Sequence, residues 1–457
     1  MNAIIIAALS GVVMMLAGLV LRKSIMVQNL AVIIAALIFG ATVYDFQTTG
    51  EGQTMFYNMI AKNEMSSWFN VLLTACSFIY LLIFKKEIAS VGKNDAEYFA
   101  LIFFILCGVF ILSGYTNLLM LFLGIEIITI PQYILAGSDK NNTKSNEASL
   151  KYFLMGAFST GLLLMGITLL YGATGSFDIQ SEAFAGHFSA EHMNSLALAG
   201  IILMVIALGF KVSAAPMHFW TPDVYDGTPT AFTPFMATIV KVSVFYAFIK
   251  LFHSSFTQVG SMWQLTIAIM IVLTLLIGNI TAVYQQSVKR MLAYSSIAQA
   301  GFMLFAVFST NATSWKGILL YGVSYTLASL GVFAALIKLK DYTYDGFNGL
   351  AKKHPILAFT TTVSLLSLSG IPLTGGFFAK YFMLLATVEQ GKFLGLVVFA
   401  VLMAAISVYY YFKVIMSMYF KEGEPEMHTE PDALELGILL LNAAVIIALG
   451  VLPQLVF

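Results

Sequence analysis

Long apolar runs, separated by short polar or turn-forming stretches, extend along the whole chain. The runs are about 18 to 25 residues long and lack period-two alternation, so they predict membrane-spanning helices rather than strands of a barrel. At a rise of about 1.5 Å per residue, such a helix crosses a hydrocarbon core of about 30 Å. The polar breaks delimit about fourteen spans, at residues 3–21, 29–46, 66–84, 97–114, 116–137, 147–172, 195–214, 229–252, 262–284, 288–309, 314–338, 355–388, 393–420 and 433–455.

Two of the predicted spans carry an internal helix breaker. Segment 195–223 contains Pro216, and segment 355–388 contains Gly370 and Pro372. Both segments are longer than one crossing requires, so we expect discontinuous helices whose irregular backbone is buried in protein or lines a hydrated cavity. A proline kink without function explains either break equally well when that break is taken alone.

The places of the two breaks predict an internal repeat. The broken seventh span is the fourth member of a five-helix unit, and the broken twelfth span holds the same place in a second unit. Because five is odd, the two units have opposite topology, as in many ion-coupled transporters. The predicted fold is an all-α polytopic membrane protein of about fourteen transmembrane helices with two inverted five-helix repeats, divided into residues 1–96, 97–252 (helices 4–8), 262–420 (helices 9–13) and 433–455.

Composition agrees with this picture, since 59% of the 457 residues are hydrophobic and only 10% are charged. The 23 basic and 23 acidic residues cancel, which gives no case for a nucleic-acid partner. Cys76 and Cys107 lie inside apolar runs, where small buried core residues are favoured over redox or metal chemistry. The sequence shows no metal-ligand spacing and no phosphate-binding loop, so no cofactor or metal is expected in this chain.

Basic residues in the connections fall mostly on one side of the predicted topology. When the connections are taken alternately, one set holds fifteen basic residues and the other holds four. The positive-inside rule places the richer set in the cytoplasm and both termini outside, with the first run a span rather than a cleaved signal. The richer set is Arg22, Lys23, Lys85, Lys86, Lys93, Lys140, Lys144, Lys151, Lys289, Arg290, Lys338, Lys340, Lys352, Lys353 and Lys421, and the poorer set is Lys62, Lys250, Lys316 and Lys392.

Four lysines remain inside predicted spans: Lys211, Lys241, Lys380 and Lys413. A charge near the helix centre costs roughly 2.5 to 3.5 kcal/mol, so such groups usually face a bundle interior or water. Lys241 lies near the middle of its span, Lys211 just before the first break, and Lys380 just after the second. A functional role is favoured for these three. Lys413 lies close enough to the cytoplasmic boundary for its stem to snorkel, and both interpretations of it stay open.

Two further residues within or beside the spans carry candidate chemistry. Glu126 is the only carboxylate placed well inside a span, which makes it the natural partner for a buried lysine. His218 follows the first break and could relay a proton near neutral pH, or it could be a structural residue beside Trp220. The residues alone therefore predict movement of charge through a membrane, without redox chemistry in this chain.

The residues around the first break resemble the signature of a known family. Segment 211–230, K-V-S-A-A-P-M-H-F-W-T-P-D-V-Y-D-G-T-P-T, followed by Lys241, is similar to the proton-translocating antiporter-like membrane subunits of respiratory complex I. These subunits are related to components of multi-subunit sodium/proton antiporters. The chain length, its end at Phe457 and a lysine at position 380 favour the subunit N branch, the counterpart of mitochondrial subunit 2. Further matches lie at 123–126, 288–301 and 368–380.

The resemblance implies a role for each candidate residue. Glu126 and Lys211 would form a charge pair, Lys241 would be the central proton carrier, and Lys380 would be the lysine on the exit side. His218 stands at a position that matches the family pattern. Asp226 stands where a glutamate is common, a departure that we do not expect to change its role.

The resemblance also implies partners and a location. Other membrane-arm subunits of complex I, including neighbouring antiporter-like subunits, would surround the chain in the bacterial inner membrane. NADH, flavin, iron–sulfur clusters and quinone would be bound by partner subunits, and quinone reduction there would drive proton movement from the cytoplasm to the outer side. Two alternatives stay open: a subunit of a sodium/proton antiporter without a redox partner, and an assembly scaffold that conducts nothing.

Overall fold

The computed structural model of the chain describes residues 2–48, 53–188 and 194–457. Helices make up most of these residues. Their strands, β1 (Thr54–Met55) and β2 (Ile60–Ala61), form one antiparallel hairpin. In chain order the helices are α1 Asn2–Val20, α2 Ser24–Gln47, α3 Glu64–Ser90, α4 Asp95–Gly114, α5 Leu118–Ala136, α6 Thr143–Thr174, α7 Glu182–Ala185, α8 Ser195–Lys211, α9 Trp220–Gly227, α10 Thr233–Phe235, α11 Lys241–Ser255, α12 Gly260–Tyr284, α13 Val288–Ser309, α14 Ala312–Lys338, α15 Leu350–Lys353, α16 Pro355–Ser369, α17 Gly375–Val388, α18 Leu394–Phe420 and α19 Ala433–Val451.

Twelve helical segments of the described residues are long and apolar enough to cross a membrane. Two further elements are interrupted where the sequence predicts a break. Helix α8 ends at Lys211 and α9 begins at Trp220, while α16 ends at Ser369 and α17 begins at Gly375. The prediction of an all-α polytopic fold with discontinuous seventh and twelfth helices is therefore confirmed, and the total is consistent with fourteen crossings.

Polar residues that interrupt the apolar pattern also begin the helices. The side chains of Asn117, Asn194 and Asn311 accept hydrogen bonds from backbone N–H groups in the first turns of α5, α8 and α14. Asp432 does the same for α19. These caps satisfy donors that a helix leaves free at its N-terminus. The short polar stretches thus fix where the spanning helices begin.

Helices α13 and α14 form the centre of the bundle, and their spanning segments are almost completely buried. Helices α1, α6 and α18 instead leave most of their apolar residues uncovered, as expected of helices that face lipid. Helix α13 packs against α9 beyond the first break and against α17 beyond the second. It therefore connects the two interrupted crossings. The division of the chain at 97–252 and 262–420 stays a prediction.

The structure differs from the sequence pattern in three places. The second connection contains the β1–β2 hairpin, whose strands are only two residues long. Lys289 and Lys338, which count among the basic residues of the predicted cytoplasmic side, lie in the end turns of α13 and α14 and are only 5% and 2% exposed. The crossing that contains Lys241 includes a π-helical turn at Met236–Val240. Hydrophobic periodicity reports none of these features, because each depends on local hydrogen bonding or on neighbouring helices.

Candidate functional site

At the first break, Lys211 and Glu126 both form hydrogen bonds with the hydroxyl group of Thr160. Lys211 is buried at the C-terminus of α8, and its Nζ donates a hydrogen bond to Thr160 Oγ1 at 3.0 Å. The Thr160 hydroxyl in turn donates to Glu126 Oε1 at 2.8 Å. No direct ion pair joins these two described charges, so the pair implied by the resemblance takes a bridged form here. Thr160 carried no signal in the sequence, because a single threonine is common in a membrane helix.

His218 lies within the same break and is buried, with its ring 4.8 Å from that of Phe219. No hydrogen bond among the described residues joins it to Lys211 or Lys241. The structure therefore places His218 between the two lysines along the chain without bringing it into contact with either. A relay role for His218 stays a prediction.

Lys241 follows directly after the π-helical turn and is 1% exposed. Its Nζ donates to the backbone carbonyl of Ser296 at 3.1 Å and to the Ser296 hydroxyl. It also lies 5.6 Å from the centre of the Tyr225 ring. The described residues offer this ammonium no ion pair with a carboxylate, so neutral dipoles and a ring face stabilise it instead. π-Helical turns are rare and concentrate at functional sites.

Lys380 lies in α17 and contacts the C-terminal end of α16, across the second break. Its Nζ donates to the backbone carbonyls of Leu368 at 3.0 Å and Ser369 at 2.9 Å. These are the last residues of α16, where carbonyls lack helical partners and carry partial negative charge. Gly370 ends α16 with a positive φ of 83°, and a Cβ at this position would lie 2.9 Å from Lys380 Cδ. The break thus creates the acceptors that hold the lysine.

A cluster of uncharged polar side chains lies between the partners of Lys241 and Lys380. Gln299 Nε2 donates to the Leu368 carbonyl at 3.0 Å and to Tyr411 OH at 3.1 Å. The Tyr321 hydroxyl donates to Gln299 Oε1, and Tyr411 OH shares a hydrogen bond with Ser295 Oγ. Sequence reasoning missed this group. The one available signal was the pair of polar residues four apart, Ser295 and Gln299, inside a predicted span.

Comparison with known proteins identifies the family of the chain. Residues 115–407 match the family described as "NADH:quinone oxidoreductase/Mrp antiporter, TM". The chain belongs to this family. Subunit N of the NADH-quinone oxidoreductase of Cytophaga hutchinsonii is 38% identical, covering 100% of this chain and 98% of that protein. The corresponding protein of Flavobacterium johnsoniae is also 38% identical, covering 92% of each. The resemblance to the antiporter-like subunits of complex I is confirmed.

Solved structures agree with the family assignment. A chain of respiratory complex I from Thermus thermophilus superposes with a TM-score of 0.85 at 29% identity, covering 99% of this chain and 98% of that one. A chain of the Mrp complex from Dietzia has the same fold, with a TM-score of 0.85 at 18% identity and coverage of 99% and 94%. The segment that matches the NADH:quinone oxidoreductase/Mrp antiporter family includes Glu126, Lys211, Lys241 and Lys380, whereas Lys413 lies beyond it.

Three further lysines of this family member are buried or partly buried. Lys289 Nζ donates to the backbone carbonyls of Asp226 at 2.8 Å and Thr228 at 2.7 Å, at the end of α9. Lys250 Nζ donates to the carbonyl of Ser113 at 3.0 Å. The third, Lys338, pairs with two carboxylates, at 2.5 Å from Glu87 and 2.9 Å from Glu435. By contrast, Lys413 is only partly buried and places its Nζ 3.9 Å from the centre of the Tyr344 ring, so both interpretations of this lysine stay open.

A charged cluster lies at the mouth of the first break, on the side predicted to face the cytoplasm. Lys151 contacts Glu147 at 2.7 Å and Asp223 at 2.8 Å, and Arg290 contacts Asp223 at 2.9 Å. These side chains line a cavity of about 260 Å³. The Asp223 carboxylate accepts hydrogen bonds from Lys151 Nζ at 2.8 Å and from Arg290 Nη2 at 2.9 Å. The segments that carry the family resemblance include Asp223 and Arg290 but not Lys151.

Proposed function

We propose that the chain is a proton-translocating, membrane-arm subunit of an NADH:quinone oxidoreductase, of the subunit N type. The observation that carries the proposal is the placement of three buried lysines, Lys211, Lys241 and Lys380, each beside an interruption of regular α-helix. Structural lysines in a membrane usually pair directly with carboxylates or reach the interface. Lys211, Lys241 and Lys380 are buried, and none of them forms a direct ion pair with a carboxylate in the described part of the chain. This arrangement suits groups that gain and lose a proton.

Proton transfer begins at the first break. While Glu126 is connected to Lys211 through Thr160, its negative charge stabilises the ammonium form of the lysine. When that connection opens, the buried ammonium loses this stabilisation and gives up its proton. Water in the break, or His218, carries the proton towards Lys241.

The proton then passes from the centre of the chain towards the exit. Lys241 is surrounded by neutral groups, so its charged form is stabilised only by the Ser296 oxygens and the Tyr225 ring. Lys380 receives the proton with the carbonyls of Leu368 and Ser369 as acceptors. The direction is from the cytoplasm to the outer side, and quinone reduction in partner subunits supplies the energy. The chain performs no redox step itself.

The proposal also includes the partners of the chain and its place in the membrane. Relatives named subunit N of NADH-quinone oxidoreductase support a place beside other membrane-arm subunits in the bacterial inner membrane. Both termini lie outside in this proposal, which follows from the distribution of basic residues among the connections. NADH, flavin, iron–sulfur clusters and quinone are bound by the partner subunits. The predicted inverted units, 97–252 and 262–420, supply one broken helix each.

The test is NADH-driven proton uptake by membrane vesicles that carry the assembled complex with Lys241→Met. We expect uptake to fall several-fold relative to the wild-type complex, because a methionine fills the space but cannot carry a proton. Lys392→Met changes an exposed lysine and serves as the matched control. Normal uptake in the assembled Lys241→Met complex would overturn the proposal and favour an assembly scaffold that conducts nothing.

The second candidate is a subunit of a sodium/proton antiporter. The fold shared with a chain of the Dietzia Mrp complex, at a TM-score of 0.85, favours it. Sodium-dependent proton exchange in vesicles without NADH would support this candidate. Copurification with flavin- and iron–sulfur-containing subunits would favour the oxidoreductase.

A further inference from the structure

The side chain of Gln299 is fixed by three partners in the middle of the bundle. It is 3% exposed, and its Nε2 uses both hydrogens, one on the Leu368 carbonyl and one on Tyr411 OH. Its Oε1 accepts a hydrogen bond from the Tyr321 hydroxyl. Because a backbone carbonyl can only accept, the NH₂ group must face Leu368, and this sets the orientation of the whole amide.

The partners of Gln299 lead to the two central lysines. The Leu368 carbonyl that accepts from Gln299 also accepts from Lys380 Nζ at 3.0 Å. On the other side, Tyr411 OH is hydrogen-bonded to the hydroxyl of Ser295. Ser295 precedes Ser296, which holds Lys241 through its carbonyl and its hydroxyl. Through these contacts the Gln299 amide connects the surroundings of Lys241 with those of Lys380.

An amide in this position blocks proton transfer. A hydroxyl group or a water molecule accepts and donates at the same oxygen, so a proton can arrive on one side while another leaves. A carboxamide accepts at its oxygen and donates at its nitrogen. Passage through it would require an unfavourable tautomer. A path of hydroxyl groups that includes Gln299 is consequently interrupted at that residue.

A small cavity beside the amide offers another route. It has a volume of about 10 Å³ and is lined by Gln299, Tyr321, Ser324 and Lys380. The Ser324 hydroxyl is buried and has no hydrogen-bond partner among the residues that the structure describes. A polar cavity of this size is at the lower limit for a single water molecule. Displacement of the Gln299 side chain would enlarge it and would free the Leu368 carbonyl and the Tyr411 hydroxyl for water.

We propose that Gln299 is the gate between Lys241 and Lys380, a positioning residue that keeps their proton exchange closed until its side chain moves. The inference rests on the proposed function. In the open state one proton leaves the Lys241 ammonium and passes through water and hydroxyl groups to the neutral amine of Lys380. Lys241 becomes neutral, Lys380 becomes charged, and the total charge does not change.

The test is the passive decay of an imposed pH gradient across vesicles that carry the assembled complex, without NADH. Gln299→Glu keeps the shape of the side chain but provides a carboxyl that can both accept and release a proton. We expect the gradient to decay several-fold faster than with the wild type and fewer protons to be pumped per NADH. Gln264→Glu is the matched control, because the Gln264 amide binds the carbonyl of Phe308 instead.

A double variant separates a gate from a loosened structure. If the leak of Gln299→Glu passes through the relay, adding Lys241→Met makes the vesicles tight again. A leak that persists in the double variant, or an assembled Gln299→Glu complex as tight as the wild type, overturns the gate. The single variant Lys241→Met tests the proposed function separately, since normal pumping there overturns the relay itself.

A second single variant tests the gate in case the complex with Gln299→Glu assembles poorly. Tyr321→Phe keeps the ring and removes only the donor to Gln299 Oε1. The amide is then held by fewer partners, and we expect a leak of the same kind, again abolished by Lys241→Met. Wild-type tightness and pumping in an assembled Tyr321→Phe complex would contradict the proposal.

Discussion

Lys211 reaches Glu126 only through the hydroxyl of Thr160, with hydrogen bonds of 3.0 Å and 2.8 Å on its two sides. A bridged pair is easier to separate than a direct one, because rotation of one threonine side chain breaks both contacts. The bridge also separates the Lys211 ammonium from the Glu126 carboxylate, but each charge still stabilises the other at this distance. The bridge makes Thr160 a testable part of the relay.

Replacement of Thr160 by valine removes this hydroxyl while it preserves the shape of the side chain. We expect NADH-driven proton uptake to fall several-fold in an assembled Thr160→Val complex and to be largely retained in Thr160→Ser. Thr168→Val, in the same helix and exposed, is the control. Equal loss in the valine and serine variants would show that the hydroxyl is not the important feature.

Gly370 is required for its conformation and for the space beside Lys380. An alanine would need a positive φ, which costs roughly 1 to 2 kcal/mol, and its Cβ would meet the Lys380 side chain at 2.9 Å. We therefore expect Gly370→Ala to lower both the thermal stability of the purified complex and its proton uptake. Gly395→Ala, where a Cβ meets no neighbour within 4 Å, should leave both unchanged. Unchanged pumping in Gly370→Ala would show that Lys380 tolerates displacement.

The ion triad of Lys338, Glu87 and Glu435 stabilises the packing of α14 against α3 and α19. Lys338→Met would leave the buried Glu435 carboxylate and the partly buried Glu87 carboxylate without their cation, and breaking a buried pair in this way costs about 3 to 5 kcal/mol. We expect loss of the subunit from the purified complex, measured by subunit composition after heating. The control is Lys340→Met, because Lys340 forms an exposed pair with Glu426 at 3.4 Å and such pairs contribute little. Equal heat resistance of the two variants would rule out a stabilising triad.

The sequence was sufficient to predict that the buried lysines of the candidate site lie beside breaks in the helices. Interruptions of the apolar pattern predicted both helix breaks, and the cost of a charge in a membrane identified Lys211, Lys241 and Lys380. The structure places each of these lysines at an interruption of regular α-helix. Hydropathy could predict this much because charges and helix breakers stand out against an apolar background.

The uncharged part of the site could not be predicted in the same way. Threonine, glutamine and tyrosine are tolerated at many positions in a spanning helix, so Thr160 and Gln299 did not stand out. Their partners also depend on packing between distant segments, since Gln299 and Tyr411 are 112 residues apart. The burial of Lys289 and Lys338 at the ends of their helices could not be predicted for a related reason. Hydropathy reports where a helix ends but not which neighbours cover that end.

The central claim is that protons pass through Lys241, and the number of protons taken up per NADH oxidised tests it most directly. The measurement compares vesicles carrying the assembled wild-type complex with vesicles carrying assembled Lys241→Met. We predict a clearly lower ratio for the variant, because a methionine at this position cannot carry a proton. An unchanged ratio would contradict the account.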